Sequence, residues 1–223
     1  MGSVIGDFLP QALGVAISPV PIIATILMLL APKAGATSVG FLLGWVVGIV
    51  LATVVFTVIA ATTGLGQSGG PSPAVSWVKV VLGALLLLLA WRQWHGRPRP
   101  GEPADLPKWM SAIDSFNFVK ATGLGFALAA LNVKNLLMCA AAGAGIGSAK
   151  LSGADTAVAV VVFTVIAAST VVIPVVGYAV AKERMRHPLD ELKAWLQTNI
   201  TAVMTVLLLV IGVTLIGKGI GGL

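Results

Sequence analysis

Long apolar runs separated by short polar stretches make up most of the chain, and several of the runs show no period. Leu85-Leu86-Leu87-Leu88-Leu89 and Val158 to Ile166 have no polar face. That pattern suits helices surrounded by hydrocarbon, whereas barrel strands alternate apolar and polar residues over about 10 positions. A bilayer core about 30 Å thick takes about 20 such residues per helix. Six candidate spans emerge, at 8–31, 36–62, 74–92, 118–142, 154–180 and 198–218. The expected fold is an all-α membrane protein of six transmembrane helices.

An internal echo orders these spans. Val54 to Thr63 reads VVFTVIAATT and Val161 to Thr170 reads VVFTVIAAST, with nine positions of ten in common. They fall on the second and fifth spans, where a three-plus-three duplication puts them. The third and sixth spans carry a weaker likeness, LGALLLLLAW against VLLLVIGVTL. An odd number of helices per copy sends the second copy into the membrane from the other side, so the halves are expected to be inverted, as in secondary transporters. The organisation read from this is a first three-helix repeat over 1–92, a cytoplasmic linker over 93–117 rich in Pro, Gly and charge, and a second, inverted three-helix repeat over 118–223. Trp91, Trp94 and Trp109 suit the headgroup level beside that linker. The segment LPKWMSAID, Leu106 to Asp114, fits a helical turn along the interface.

The first helix of each half is interrupted near its middle. In GVAISPVPIIATILMLL, from Gly14, Pro19 and Pro21 lack amide hydrogens; the carbonyls about four residues upstream, near Val15 and Ile17, are expected to be freed. Ser18 followed by Pro19 also reads as an N-cap followed by proline at the first helical position. In LAALNVKNLLMCAAAG, from Leu128, Asn132 and Asn135 offer side-chain hydrogen bonds that compete with the helix. Asn132 matches Ser18, so Val133, Lys134 and Asn135 form the first turn of a new half-helix, where free amides and the dipole make a positive end. If inverted repeats bring the two breaks together near the midplane, Ser18, Pro19, Pro21, Asn132, Lys134 and Asn135 form an anion-attracting substrate pocket.

Each of these residues has a plainer reading. The prolines could be an inert kink, and a lysine can lift its ammonium to the interface along its own stem. Lys134, however, lies 14 residues past Lys120, roughly 21 Å along a helix, which is beyond a lysine's reach. A lysine at the bilayer centre costs about 2.5–3.5 kcal/mol on insertion scales, so an idle one is disfavoured.

Composition supports the membrane reading, and charge orients it. The 223 residues are 57% hydrophobic and 10% charged, and the mean hydropathy is +1.00. A net charge of +6 suggests nucleic acid until the cations are placed. Lys33; then Arg92, Arg97, Arg99, Lys108 and Lys120; then Lys182, Arg184, Arg186 and Lys193 fall in the loops after spans one, three and five. The other side has Lys79, Lys150 and Lys218. By the positive-inside rule the three basic loops are cytoplasmic, both termini face outward, and no nucleic-acid partner is implied. The start of the chain, MGSVIGDFLP, has no basic n-region, so the first span is expected to be retained and not cleaved as a signal peptide.

The remaining chemistry is sparse. No carboxylate falls at a span centre, which disfavours a carrier built on a buried acid. Asp114 and Asp155 at span ends either mark the boundary or gate an entrance. Single Cys139 allows no internal disulfide. His95 and His187 lie in basic loops without partners at ligand spacing, so no metal and no cofactor are expected. No paired carboxylates or nucleophile–base arrangement occur in the spans, and an enzyme is not expected. Gly40, Gly44 and Gly48 line one helical face, fit for a homodimer interface or for packing within the monomer, the latter being the default. Pro174 is expected to kink the fifth helix and to free the Thr170 carbonyl.

The stretches ALGVAISPVPIIATILMLLAP, FLLGW, PKWMSAID and NVKNLLMCAAAGAGI resemble the glycopeptidolipid- and sulfolipid-addressing proteins of mycobacteria and related actinobacteria, a branch of the lysine exporter superfamily. The likeness covers most of the chain. Relatives often have Asn-Pro-Lys where this chain has Asn132-Val133-Lys134, which leaves open how sharply the fourth helix breaks. The resemblance implies a multi-pass inner-membrane exporter that moves amphiphilic glycolipids toward the envelope, alongside large lipid-transport machinery. The residues by themselves lead only to a small inverted-repeat carrier with an anion-friendly pocket. Such a pocket suits an amino-acid carboxylate, a phosphate or a sulfated head group equally. The competing reading is a non-transporting scaffold that docks an export complex through its basic loops and glycine face.

Overall fold

The computed structural model describes residues 2–63, 73–96 and 112–221, and every regular element among them is a helix. In chain order these are α1 (Gly2–Ala16), α2 (Pro19–Leu30), α3 (Ala34–Thr63), α4 (Pro73–His95), a short 3-10 turn (Ile113–Ser115), α5 (Phe118–Phe126), a π-turn (Ala127–Leu131), α6 (Val133–Ser148) and α7 (Gly153–Ile220). Residues 97–111 of the expected linker, with most of the expected interfacial turn, lie outside the described residues, as does the side chain of Asp114.

α3 and the Gly153–Lys182 stretch of α7, each 30 residues, are long and apolar enough to cross a membrane. Three bent pairs qualify if each counts as one span: α1 with α2, Phe118–Leu131 with α6, and His187–Leu196 with Thr201–Gly217. Two to five candidate spans therefore lie among the described residues, and the chain is a membrane protein. The third expected span, 74–92, falls on α4.

The described residues gather into two compact units, one within 1–65 and 107–193 and the other within 66–106 and 194–223. The first unit is built on α3. Phe41, Trp45, Ile49 and Ala52 recur at helical spacing and are buried, while Val39, Leu43, Val47 and Leu51 on the other side are exposed, a lipid-facing surface in a bilayer. Gly40, Gly44 and Gly48 lie on the inward side against Phe118, Thr122, Phe126 and Ala129. At Gly44 a Cβ would land on the Thr122 backbone, so only glycine permits that approach. The stripe thus packs within the chain. Gly143 and Gly147 of α6 return the contact on the Thr53 and Thr57 backbone.

α1 adds Phe8, Ala12 and Val15 to the core, with Phe8 edge-on to Phe163 at 5.7 Å between centroids. α6 ends where Lys150 takes a left-handed φ of 49°. The next helix starts at a capping box in which the Ser152 hydroxyl donates to Asp155 and accepts from its amide. Ser152 therefore caps this helix, and Asp155 lies in its first turn. In the second unit Gly83 of α4 lies against Gly212 and Ile216 of α7, again a small-residue contact.

The dihedrals stay helical at Pro174, and the non-helical residue within α7 is Ala181, at φ −138° and ψ 49°. Of the matched decapeptides, Val54–Thr63 belongs to α3 and Val161–Thr170 to Gly153–Lys182. Ser18 and Asn132 are 114 positions apart and Val54 and Val161 are 107 apart. The decapeptides are therefore offset by two helical turns relative to the breaks.

Candidate functional site

The first break follows from what proline removes. Ser18 is extended, at φ −70° and ψ 113°, with Pro19 opening α2, and the α1 and α2 axes meet at 50°. Because the break begins at Ser18, one residue ahead of the first proline, the Ser18 amide steps back to the Val15 carbonyl at 3.2 Å and leaves the Gly14 carbonyl without its usual donor. Near Val15 and Ile17, where freed carbonyls are expected, the carbonyls that find side-chain donors are those of Gly14 and Ala16. The Ser18 side chain does not cap α2; its hydroxyl points elsewhere.

The second break follows from what asparagine supplies. The Asn132 side-chain oxygen accepts from the amides of Lys134 at 3.1 Å and Asn135 at 3.4 Å, an N-cap on α6. Ahead of it the helix widens into the π-turn Ala127–Leu131, closed by the Asn132 amide on the Ala127 carbonyl at 3.1 Å. Such a wide turn leaves carbonyls underused, and the Asn135 side-chain amide donates to one of them, Leu128, at 2.9 Å. The pair bends by 62°, so the chain breaks at least as sharply here without a proline.

The breaks meet. The Lys134 ammonium donates to the Gly14 carbonyl and to the Ser18 hydroxyl, both at 2.6 Å. The Ser18 hydroxyl in turn donates a hydrogen bond to the Asn135 side-chain oxygen at 3.0 Å. Ser18 is 5% and Asn135 1% exposed; Lys134 is partly buried. Four expected site residues, Ser18, Asn132, Lys134 and Asn135, thus join one hydrogen-bonded network. Pro19 and Pro21 are buried in the first turn of α2, and the Pro21 carbonyl accepts from Thr25. They shape the break without donating to the network.

Among the described residues no carboxylate belongs to this network. The ammonium stands at the positive end of its own helix, an unfavourable place, but also at the carbonyl end of α1, where a helix dipole favours a cation by about 0.3–2 kcal/mol. Chemically the site is a cation held by neutral acceptors, able to take an anion as its first true counter-charge. Two of the three ammonium protons are committed, so a further acceptor can be added. Ile17, Leu131 and Val133, neighbours of the network residues in sequence, are 47%, 70% and 70% exposed, so apolar exposed side chains flank the polar network. Among the described residues no three His, Cys, Asp or Glu side chains converge as metal ligands.

The sequence reading missed two participants. The Gly14 carbonyl lies where α6 comes close, with Met138 3.3 Å from where a Gly14 Cβ would be, and no sequence signal marks it. The Thr170 hydroxyl donates to the Ala16 carbonyl at 2.6 Å, and only its place near the middle of an apolar span hinted at it. No curated protein and no solved structure matches the chain. Residues 8–221 match the family model described as Sap, sulfolipid-1-addressing protein, and the chain belongs to that family.

Proposed function

We propose that the protein moves an anionic amphiphilic lipid across the inner membrane by alternating access, with the head group drawn to Lys134 and the acyl chains left in the bilayer. The observation that carries this reading is the network joining Lys134, Ser18 and Asn135 at two opposed helix breaks. An ammonium without a carboxylate partner favours an anion. The exposed apolar side chains of Ile17, Leu131 and Val133 favour a substrate with hydrocarbon tails over a compact one. The family description names sulfolipid addressing, which agrees with a sulfated head group.

In this reading the chain has six spans arranged as two inverted halves, 1–92 and 118–223, joined by the linker 93–117. Both termini lie outside and the basic loops are cytoplasmic. The paired breaks support it through their similar depth, Ser18 following 16 residues after the start of α1 and Asn132 following 14 after the start of α5.

The test is leaflet exchange in proteoliposomes containing the full chain and a fluorescent sulfated long-chain glycolipid. Exchange is expected to rise for that lipid and to stay at the protein-free rate for a phosphatidylcholine carrying the same fluorophore. A water-soluble sulfated sugar crossing equally well would replace this reading with that of a small-anion exporter. Equal exchange of all lipids, or of none, would overturn it.

A further inference from the structure

Hydroxyls in apolar helices usually bond back into their own helix, which satisfies them at little cost. Thr25, Thr57, Thr122, Thr164 and Thr205 each donate to the carbonyl four residues earlier. Thr170 does not. Its own fourth carbonyl back, Ile166, accepts from Ser169 at 2.8 Å, while the Thr170 hydroxyl leaves α7 for the Ala16 carbonyl 154 positions away. Ala16 ends α1, and beyond the break at Ser18 no backbone amide among the described residues reaches its carbonyl. In hydrocarbon an unpaired carbonyl costs several kcal/mol, so this one needs a donor from another element.

The three donors to the end of α1 are of different origin. Val15 receives the Ser18 amide, Gly14 receives the Lys134 ammonium from α6, and Ala16 receives Thr170 from α7. The first is local and the second belongs to the proposed substrate site. The third ties the break to a different span.

We propose that Thr170 is a positioning residue that pins the α1–α2 break to the Gly153–Lys182 span, so that movement of that span carries the Gly14 and Ser18 acceptors of Lys134 with it. Resting on the break being the transport site, the proposal assigns one specific bond to the linkage between a whole span and the lysine. Thr170 touches neither Lys134 nor, on this reading, the substrate; it acts through the α1 carbonyls.

Hydrogen–deuterium exchange of the full chain in lipid nanodiscs tests the bond without needing a substrate. Thr170→Val removes the donor at nearly constant shape and is expected to speed exchange of the amides between residues 13 and 22 about tenfold, the effect of losing roughly one net hydrogen bond. Thr170→Ser keeps the donor and is expected to exchange as the parent does, and α3 and α6 are expected to be unchanged in both variants. Unaltered exchange at 13–22 in Thr170→Val, or equal acceleration in Thr170→Ser, would overturn the proposal. So would loss of protection throughout α3 and α6 in either variant, because the bond would then hold the fold and not the break. A parent protein that moves no lipid would remove the transport reading and leave this result standing.

Discussion

The two helix breaks reach similar bends by opposite chemistry. At Ser18 the sequence takes donors away, because Pro19 and Pro21 have no amide hydrogen, and the end of α1 is left rich in acceptors. At Asn132 the sequence adds an acceptor, because the side-chain oxygen caps α6, and the turn after it carries a cation. One break is short of donors and the other brings them. Their meeting through Lys134, Gly14 and Ser18 is therefore complementary: the acceptors that one break leaves over are taken up by the cation that the other supplies.

That comparison can be broken from either side, and the largest effect is expected at its centre. Lys134→Ala removes the cation and is expected to lower sulfated-lipid exchange by at least about 100-fold, in line with a central ionic contact worth about 3 kcal/mol, while the protein still elutes as a folded species in detergent. Normal exchange by this variant would end the transport account. Ser18→Ala comes next. It deprives Lys134 of one acceptor and leaves the buried Asn135 oxygen without its donor, an expected loss of about 1–3 kcal/mol of stability, readable as a lower melting temperature.

Asn132→Ala tests the other break. Loss of a helix N-cap costs about 0.5–2 kcal/mol, and exchange is expected to quicken at Lys134 and Asn135, the two amides it holds, with the α1–α2 break unaffected. The smallest effect is expected for Val133→Pro. Asn132 already has the extended φ −71° and ψ 116° that a residue before proline prefers. Among the described residues the Val133 amide has no backbone acceptor, and proline is well tolerated at the first helical position. Stability should change by less than about 0.5 kcal/mol. A larger loss in thermal melting would show that the second break needs the Val133 amide after all.

These residues also show what a sequence can reveal. The breaks were legible because proline and asparagine act locally: each changes the donors and acceptors of its own turn, whatever lies around it. Lys134 was legible because its distance along the helix from Lys120 excludes escape to the interface. Residues that act across space were hidden. Gly14 contributes a backbone oxygen, which every residue has, so only the packing of α6 against α1 selects it. Thr170 resembles the other threonines in composition and differs in where its hydroxyl turns. The π-turn at Ala127–Leu131 has no marker in its Ala/Leu sequence; it arises from the Asn132 amide reaching back one residue further than in an α-helix. The decapeptide echo marks two apolar helices long enough to cross a membrane.

The central claim is that Lys134 receives an anionic head group beside the exposed Leu131. A photo-crosslinking amino acid placed at Leu131 in living cells tests this directly, with the adduct identified by mass spectrometry. The account predicts an anionic, acylated glycolipid bound to the parent protein and lost when Lys134→Ala is added. The same adduct in both proteins, or only bulk zwitterionic phospholipid in either, would contradict it.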